Sequence, residues 1–120
     1  MDGDTRIDLQ RTCLRGADLS GGNFARADFS EADLSTSNMT GTDFHDAAFT
    51  WATLPKVNAF NSNFSDANFF RANLTHATLS RAILHRANLN QATLTSAALN
   101  NADMSEVDLS DVDLTDVASR

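Results

Sequence analysis

Along this chain an apolar residue returns every five positions. From Leu9 to Leu114 there are 22 such positions in unbroken frame: 13 Leu, six Phe, two Met and Ala59. Two residues ahead of each stands a small or short residue, from Ile7 to Val112, and Val117 continues the series: 13 Ala, four Val, and otherwise Ser, Thr, Gly or Ile. The residue between them is Asp or Asn in 15 of the 22 units, and the two residues that follow are mostly polar and variable. On an α-helix a step of five advances about 500°, about 140° net, so the leucines would spiral over every face. On an uninterrupted strand five is odd, and successive leucines would point to opposite sides. A chain that bends every five residues buries them all. In each short extended segment the small and the apolar residue share the inner face, the Asp/Asn between them points out, and the next two residues turn a corner.

The phenylalanines set the size of the coil. They occur as pairs, Phe24 and Phe29, Phe44 and Phe49, Phe64 and Phe69, and the pairs recur every 20 residues. Equal rings stack if four units make one turn. The pattern predicts an all-β fold, a four-sided solenoid of about five and a half coils, wound right-handed as parallel crossovers generally are. At 120 residues a single domain over 1–120 is expected, with the repeat running from about residue 5 to 118.

Segments such as ADLSG (17–21), ANLTH (72–76), ANLNQ (87–91) and VDLSD (107–111) resemble the pentapeptide repeat, written A(D/N)LXX. The resemblance covers nearly the whole chain. It implies a right-handed quadrilateral β-helix and a largely non-enzymatic family. Some of its members are acidic, DNA-like rods that bind DNA gyrase and protect it from quinolones. Those gyrase-binding relatives typically carry a C-terminal dimerisation segment beyond the repeats, and none is visible here.

Two features interrupt the regularity. Gly fills the third turn position, where a type II turn favours it, only at Gly16, Gly21 and Gly41, so less regular corners are expected in the C-terminal half. The stretch 51–64 carries the only proline, Pro55, and the only apolar position reduced to alanine, Ala59. Phe60 is expected to swing inward and fill that gap; the alternative is a local bulge with Phe60 exposed. Trp51 and Phe70 fall at corners of adjacent coils, either as a partner-contact patch with Phe60 and Arg71 or as side chains that merely cover one another.

Charge divides the rod. The net charge is −7, yet residues 1–50 carry nine acids and four bases, 51–100 one acid and four bases, and 101–120 six acids and one base. Asp103, Glu106, Asp108, Asp111, Asp113 and Asp116 form an acidic end, the candidate surface for a DNA-mimicking contact with gyrase. Against that reading, eight of the 16 acids occupy the Asp/Asn slot, where short polar side chains bond turn backbone, and Lys56, Arg71, Arg81 and Arg86 interrupt any long negative stripe. The inward pattern persists through Val117, so either the rod stacks end to end on a second copy or it belongs to a longer chain.

No phosphate loop, CxxC, HExxH or nucleophile elbow occurs. His45, His76 and His85 fall at or beside corners, and no metal, cofactor or catalytic residue is expected. The sequons at 38–40, 63–65 and 73–75 follow from the repeat itself. A single cysteine, Cys13, no apolar span and no secretory signal suit a cytoplasmic protein. The leading expectation is a non-enzymatic scaffold for a protein partner; gyrase modulation is the alternative.

Overall fold

The structure, a computed structural model, describes residues 6–119; Thr5, where the repeat is expected to begin, lies outside them. Nineteen β-bridges, all parallel, join residues 20 apart, from Asp8–Asp28 to Ala98–Ala118. Four five-residue units therefore make one turn, as the phenylalanine spacing predicts, and the chain is a right-handed quadrilateral β-helix. We number its faces by their outward residues. Face 1 carries Asp8, Asp28, Ala48, Asn68, Asn88 and Asp108; face 2 begins at Cys13, face 3 at Asp18 and face 4 at Asn23, each continuing in steps of 20.

Each position of the repeat is explained by one backbone donor. The apolar residue and the second corner residue donate to carbonyls 19 residues on, as Leu9 to Asp28 (2.8 Å) and Arg11 to Ser30 (3.0 Å). The outward residue donates to the preceding coil, as Asp28 to Ile7 (2.9 Å). The small residue closes the corner onto the apolar carbonyl three residues back, as Ala17 to Leu14 (3.0 Å). That leaves the N–H of the first corner residue. All 15 Asp and Asn of the outward slot accept it with Oδ1, at 2.9 to 3.2 Å. Buried or half-buried backbone donors need partners, and the short Asp/Asn side chain supplies the one the ladder cannot.

The corner also accounts for alanine. Wherever Ala closes it the N···O distance is 2.9 to 3.0 Å, and Ser37 keeps 3.0 Å; the β-branched Thr12, Thr42, Val57, Val107 and Val117 lengthen it to between 3.2 and 3.4 Å, as does Ser62 at 3.3 Å. A β-branched side chain inside the bend pushes the two strands of the corner apart.

The corners do not become irregular where glycine runs out. Every second corner residue adopts positive φ, between 56° and 69°, whether Gly16, Gly21 and Gly41 or any of 19 non-glycine residues. Arg71 and His76 hold the same conformation as Gly41 with their N–H groups tied into the inter-coil ladder, to Asn90 (3.1 Å) and Thr95 (2.9 Å). At the corners that ladder reaches, two hydrogen bonds per corner outweigh the roughly 1–2 kcal/mol that the left-handed conformation costs an L-residue.

The core is four columns of side chains. Phe29, Phe49 and Phe69 stack on face 1 with centroids 5.1 and 4.8 Å apart and planes within 6°. Phe44 and Phe64 stack on face 4 at 5.2 Å and 3°. Between the columns the rings meet edge to face at 5.2 to 5.8 Å. Both arrangements suit the ring quadrupole.

The coil at 51–64 is neither bulged nor refilled by Phe60, which is 38% exposed while Ala59 is fully buried. Asn58 bridges both Asn38 and Thr78, and Ala59 donates to Thr78 at 2.8 Å. Bringing Phe60 inward would slip that strand by one residue and turn its neighbours inside out. The neighbours of the gap are the larger or more flexible members of their positions: Met39 stands in the same column one coil earlier, and Val57 takes the adjacent small position, both buried. A flexible thioether fills irregular space well. Pro55 is no break either. It occupies the first corner position, the one N–H the ladder leaves unbonded, and Pro favours that place in a turn of this kind.

Candidate interaction surface

In the inner coils small and apolar side chains are committed to the core, and the outward slot and the two corner residues of each unit face solvent; in the end coils Ile7, Leu109 and Leu114 are exposed as well. No pocket opens among the described residues, so whatever this surface recognises meets flat faces and four ridges. Lys56 and His76 project from the ridge between faces 2 and 3, one coil apart.

Trp51, Phe70 and Arg71 come together on the ridge between faces 1 and 2. Trp51 is 52% exposed, with the Arg71 guanidinium 4.7 Å above its ring and 5.7 Å from that of Phe70. Trp51 N–H donates to the Phe70 carbonyl at 2.9 Å, which fixes the register of the pair. Phe60 is not part of this cluster. It lies half a coil away, on the diagonally opposite ridge between faces 3 and 4, with Arg81 6.0 Å over its ring.

Beside Phe60 the structure adds a residue that the sequence reading passed over. Ile83, 41% exposed, occupies the outward slot of face 4. The signal was present: it is the one large aliphatic residue in a slot that otherwise holds Asp, Asn, Thr, Ala or Cys.

The six acids of the C-terminal end do not form a stripe. Asp103, Glu106, Asp108, Asp111, Asp113 and Asp116 follow one another around the rod, from face 4 across face 1 to the ridge beyond face 2. Hydrogen bonds from the hydroxyl and N–H of Ser105, Ser110 and Thr115 hold the Asp103, Asp108 and Asp113 carboxyls below the usual range. Ser20 and Ser35 do the same for Asp18 and Asp33. At Asp43 burial pushes the carboxyl up, but the N–H, ring and charge of His45 together bring it below its ordinary value.

Elsewhere basic side chains meet acids, Arg11, Arg86 and His85 across one coil and His45 within its own. Arg11 meets Glu31 at 2.6 Å, and Arg86 grips Asp66 through two bonds of 2.9 and 3.1 Å. His85 bonds Ser105 at 2.7 Å and lies 3.3 Å from Glu106, and His45 is 2.9 Å from Asp43. Among the described residues no group of three potential ligands could hold a metal ion, and Cys13 is an exposed free thiol on face 2. No helix of the described residues is long and apolar enough to cross a membrane.

A profile of the pentapeptide repeats matches this sequence in eight copies, over residues 23–54, 57–86 and 84–116. The chain is a pentapeptide repeat protein. No curated protein matches it significantly. Among solved structures, the pentapeptide repeat protein Rfr23 of the cyanobacterium Cyanothece 51142 is similar at TM-score 0.81 and 22% identity, over 94% of this chain and 87% of that one. HetL, a pentapeptide repeat protein involved in heterocyst differentiation regulation in Nostoc sp. strain PCC 7120, is 30% identical at TM-score 0.73, over 94% of this chain but 60% of its own. A pentapeptide repeat protein of the Arabidopsis thaliana thylakoid lumen is 30% identical at TM-score 0.76, over 89% of this chain and 71% of its own. A trypsin-treated form of QnrB1, a plasmid-mediated fluoroquinolone resistance protein, shares the fold at TM-score 0.51 and 21% identity, over 92% and 78%.

Proposed function

We propose that this pentapeptide repeat protein is a non-enzymatic scaffold that docks a protein partner through the ridge of Trp51, Phe70 and Arg71. One observation carries the reading: a half-exposed tryptophan is roofed by an arginine that has no carboxylate partner among the described residues. Trp and Arg dominate binding energy at protein interfaces when a partner desolvates them together.

The DNA-mimic reading, with gyrase as the partner, is the weaker. A mimic of a phosphate backbone needs acids in sequence along the rod. Every face breaks that sequence: on face 1 Asp28 and Asp108 are separated by Ala48, Asn68 and Asn88. The acidic C-terminal end is a collar, one coil high.

The deciding experiment compares the wild type with two variants. Trp51→Ala should abolish capture of a partner from lysate that the wild type retains reproducibly. Equal capture by both would exclude the ridge. In a gyrase supercoiling titration, with and without a quinolone, the scaffold reading expects no effect at high excess. Inhibition or drug protection that disappears in Asp103→Asn/Asp108→Asn/Asp113→Asn would establish the mimic instead. Asn keeps the corner bond, as Asn38, Asn63 and Asn73 show, so that variant removes charge alone.

A further inference from the structure

Faces 2 and 3 together form a carboxylate-free surface across three successive coils. Between Asp46 and Asp103 the chain has a single acid, Asp66; it sits on the ridge between faces 4 and 1, away from both, and Arg86 neutralises it there. The acid-free area is three strands high, roughly 14 Å at the usual strand spacing. Its floor is short and neutral, with Thr53 and Asn73 on face 2 and Thr78 on face 3.

Three cations frame that floor. Lys56 stands on the ridge the two faces share, Arg71 on the outer edge of face 2 and Arg81 on the outer edge of face 3. Among the described residues none of the three has a carboxylate partner, whereas Arg11, Arg15 and Arg86 each have one. Arg71 and Arg81 also lie against aromatic rings, at 4.7 Å from Trp51 and 6.0 Å from Phe60. A guanidinium held by one π-face keeps its N–H edges free in a fixed plane, the geometry that suits a carboxylate. Less side-chain freedom then remains to be lost on binding.

We propose that this surface docks an acidic segment of a protein partner, a Glu/Asp-rich stretch whose carboxylates pair with Lys56, Arg71 and Arg81 while its apolar residues contact Trp51 and Phe60. The proposal rests on the scaffold reading above and names the partner's chemistry. Charge complementarity selects the occupant. A long polyanion such as a nucleic acid, laid along the rod, would run from the basic area onto Asp33 on one side and Asp113 on the other, both on face 2. A short acidic segment that crosses the faces meets neither.

The test uses the full chain and fluorescence anisotropy at low and physiological salt. The probes are a labelled peptide of four tandem Glu-Glu-Leu units, its Lys-for-Glu counterpart and a twelve-nucleotide oligo-dT. The wild type should bind the acidic peptide in preference to the other two, and more weakly as salt rises. Lys56→Ala/Arg71→Ala/Arg81→Ala should weaken that binding at least about tenfold, from a few-fold per exposed pair. Thr53→Glu, which leaves every cation in place, should weaken it as well, while Arg11→Ala/Arg15→Ala should not. Failure to bind the acidic peptide, indifference to the triple variant and Thr53→Glu, or equal or tighter binding of oligo-dT would each overturn the proposal, the last in favour of a nucleic acid. If a Trp51-dependent partner is captured that ignores both the triple variant and Thr53→Glu, the scaffold reading stands and this one falls.

Discussion

If the inter-coil ladder holds the corners it reaches at positive φ, glycine and non-glycine corners should respond to substitution with opposite signs. Gly41 has φ +63°, and a Cβ added there meets nothing within 4 Å, so Gly41→Ala tests backbone conformation without a steric clash. The left-handed conformation costs an L-residue roughly 1–2 kcal/mol, and replacing glycine recovers about 0.5–1 kcal/mol by restricting the unfolded chain. The net expectation is a loss of about 0.5–1 kcal/mol. His76, exposed at φ 59° with its N–H bonded to Thr95, should behave as the mirror case, with His76→Gly gaining a similar amount. For a chain of this length each change corresponds to about 2–5 °C in Tm. Urea unfolding followed by Trp51 fluorescence measures both, provided the slope stays constant so that the midpoint reports stability. A neutral or stabilising Gly41→Ala, or a His76→Gly that destabilises, would refute the account of the corners.

Three further outcomes are expected. Asp18, Asp33, Asp43, Asp103, Asp108 and Asp113 titrate below their ordinary range when folded; their contribution is therefore complete above the unfolded carboxylate range and is lost as pH falls through it, below about pH 4. Urea midpoints should be flat in this respect from pH 5 to 7 and drop below that range, with a smaller drop in Asp103→Asn/Asp108→Asn/Asp113→Asn; parallel curves would refute the assignment. Arg71→Ala uncovers the only tryptophan, so emission should move to longer wavelength and acrylamide quenching should rise, with stability changed by no more than about 1 kcal/mol. Met39→Ala places two alanines in succession in one core column, and calorimetry should show a loss near the top of the roughly 2–5 kcal/mol range for such truncations, because Ala59 cannot lean into the space.

The architecture was legible because it rests on period alone. Phe29, Phe49 and Phe69 declare the 20-residue coil, and their rings stack as that spacing requires. The corners were misjudged because glycine propensity is a local preference, whereas the conformation of Arg71 or Thr36 is set by a partner strand 19 residues away. Phe60 was misjudged for a related reason: the gap at Ala59 suggested a local repair, but the ladder fixes which residues point inward, and Met39 and Val57 border the gap instead. The surface was readable only in part. Trp51, Phe70 and Arg71 converge as neighbouring coils require, while grouping Phe60 with them ignored the half coil between residues 51 and 60. Ile83 escaped because its slot was read for what it usually holds.

The bond that every outward Asp or Asn makes to its corner has a consequence for how such a protein can change over time. The two side chains do the same structural work, since Asn38 and Asp108 cap their corners alike. Eight aspartates occupy the slot against a net charge of −7, so exchanging them for asparagine would erase the acidity of the protein and leave each of these caps in place. The geometry of the corners is thus kept whichever sign the surface carries. A lineage can repaint the rod for a new partner one aspartate at a time, without passing through an unfolded intermediate.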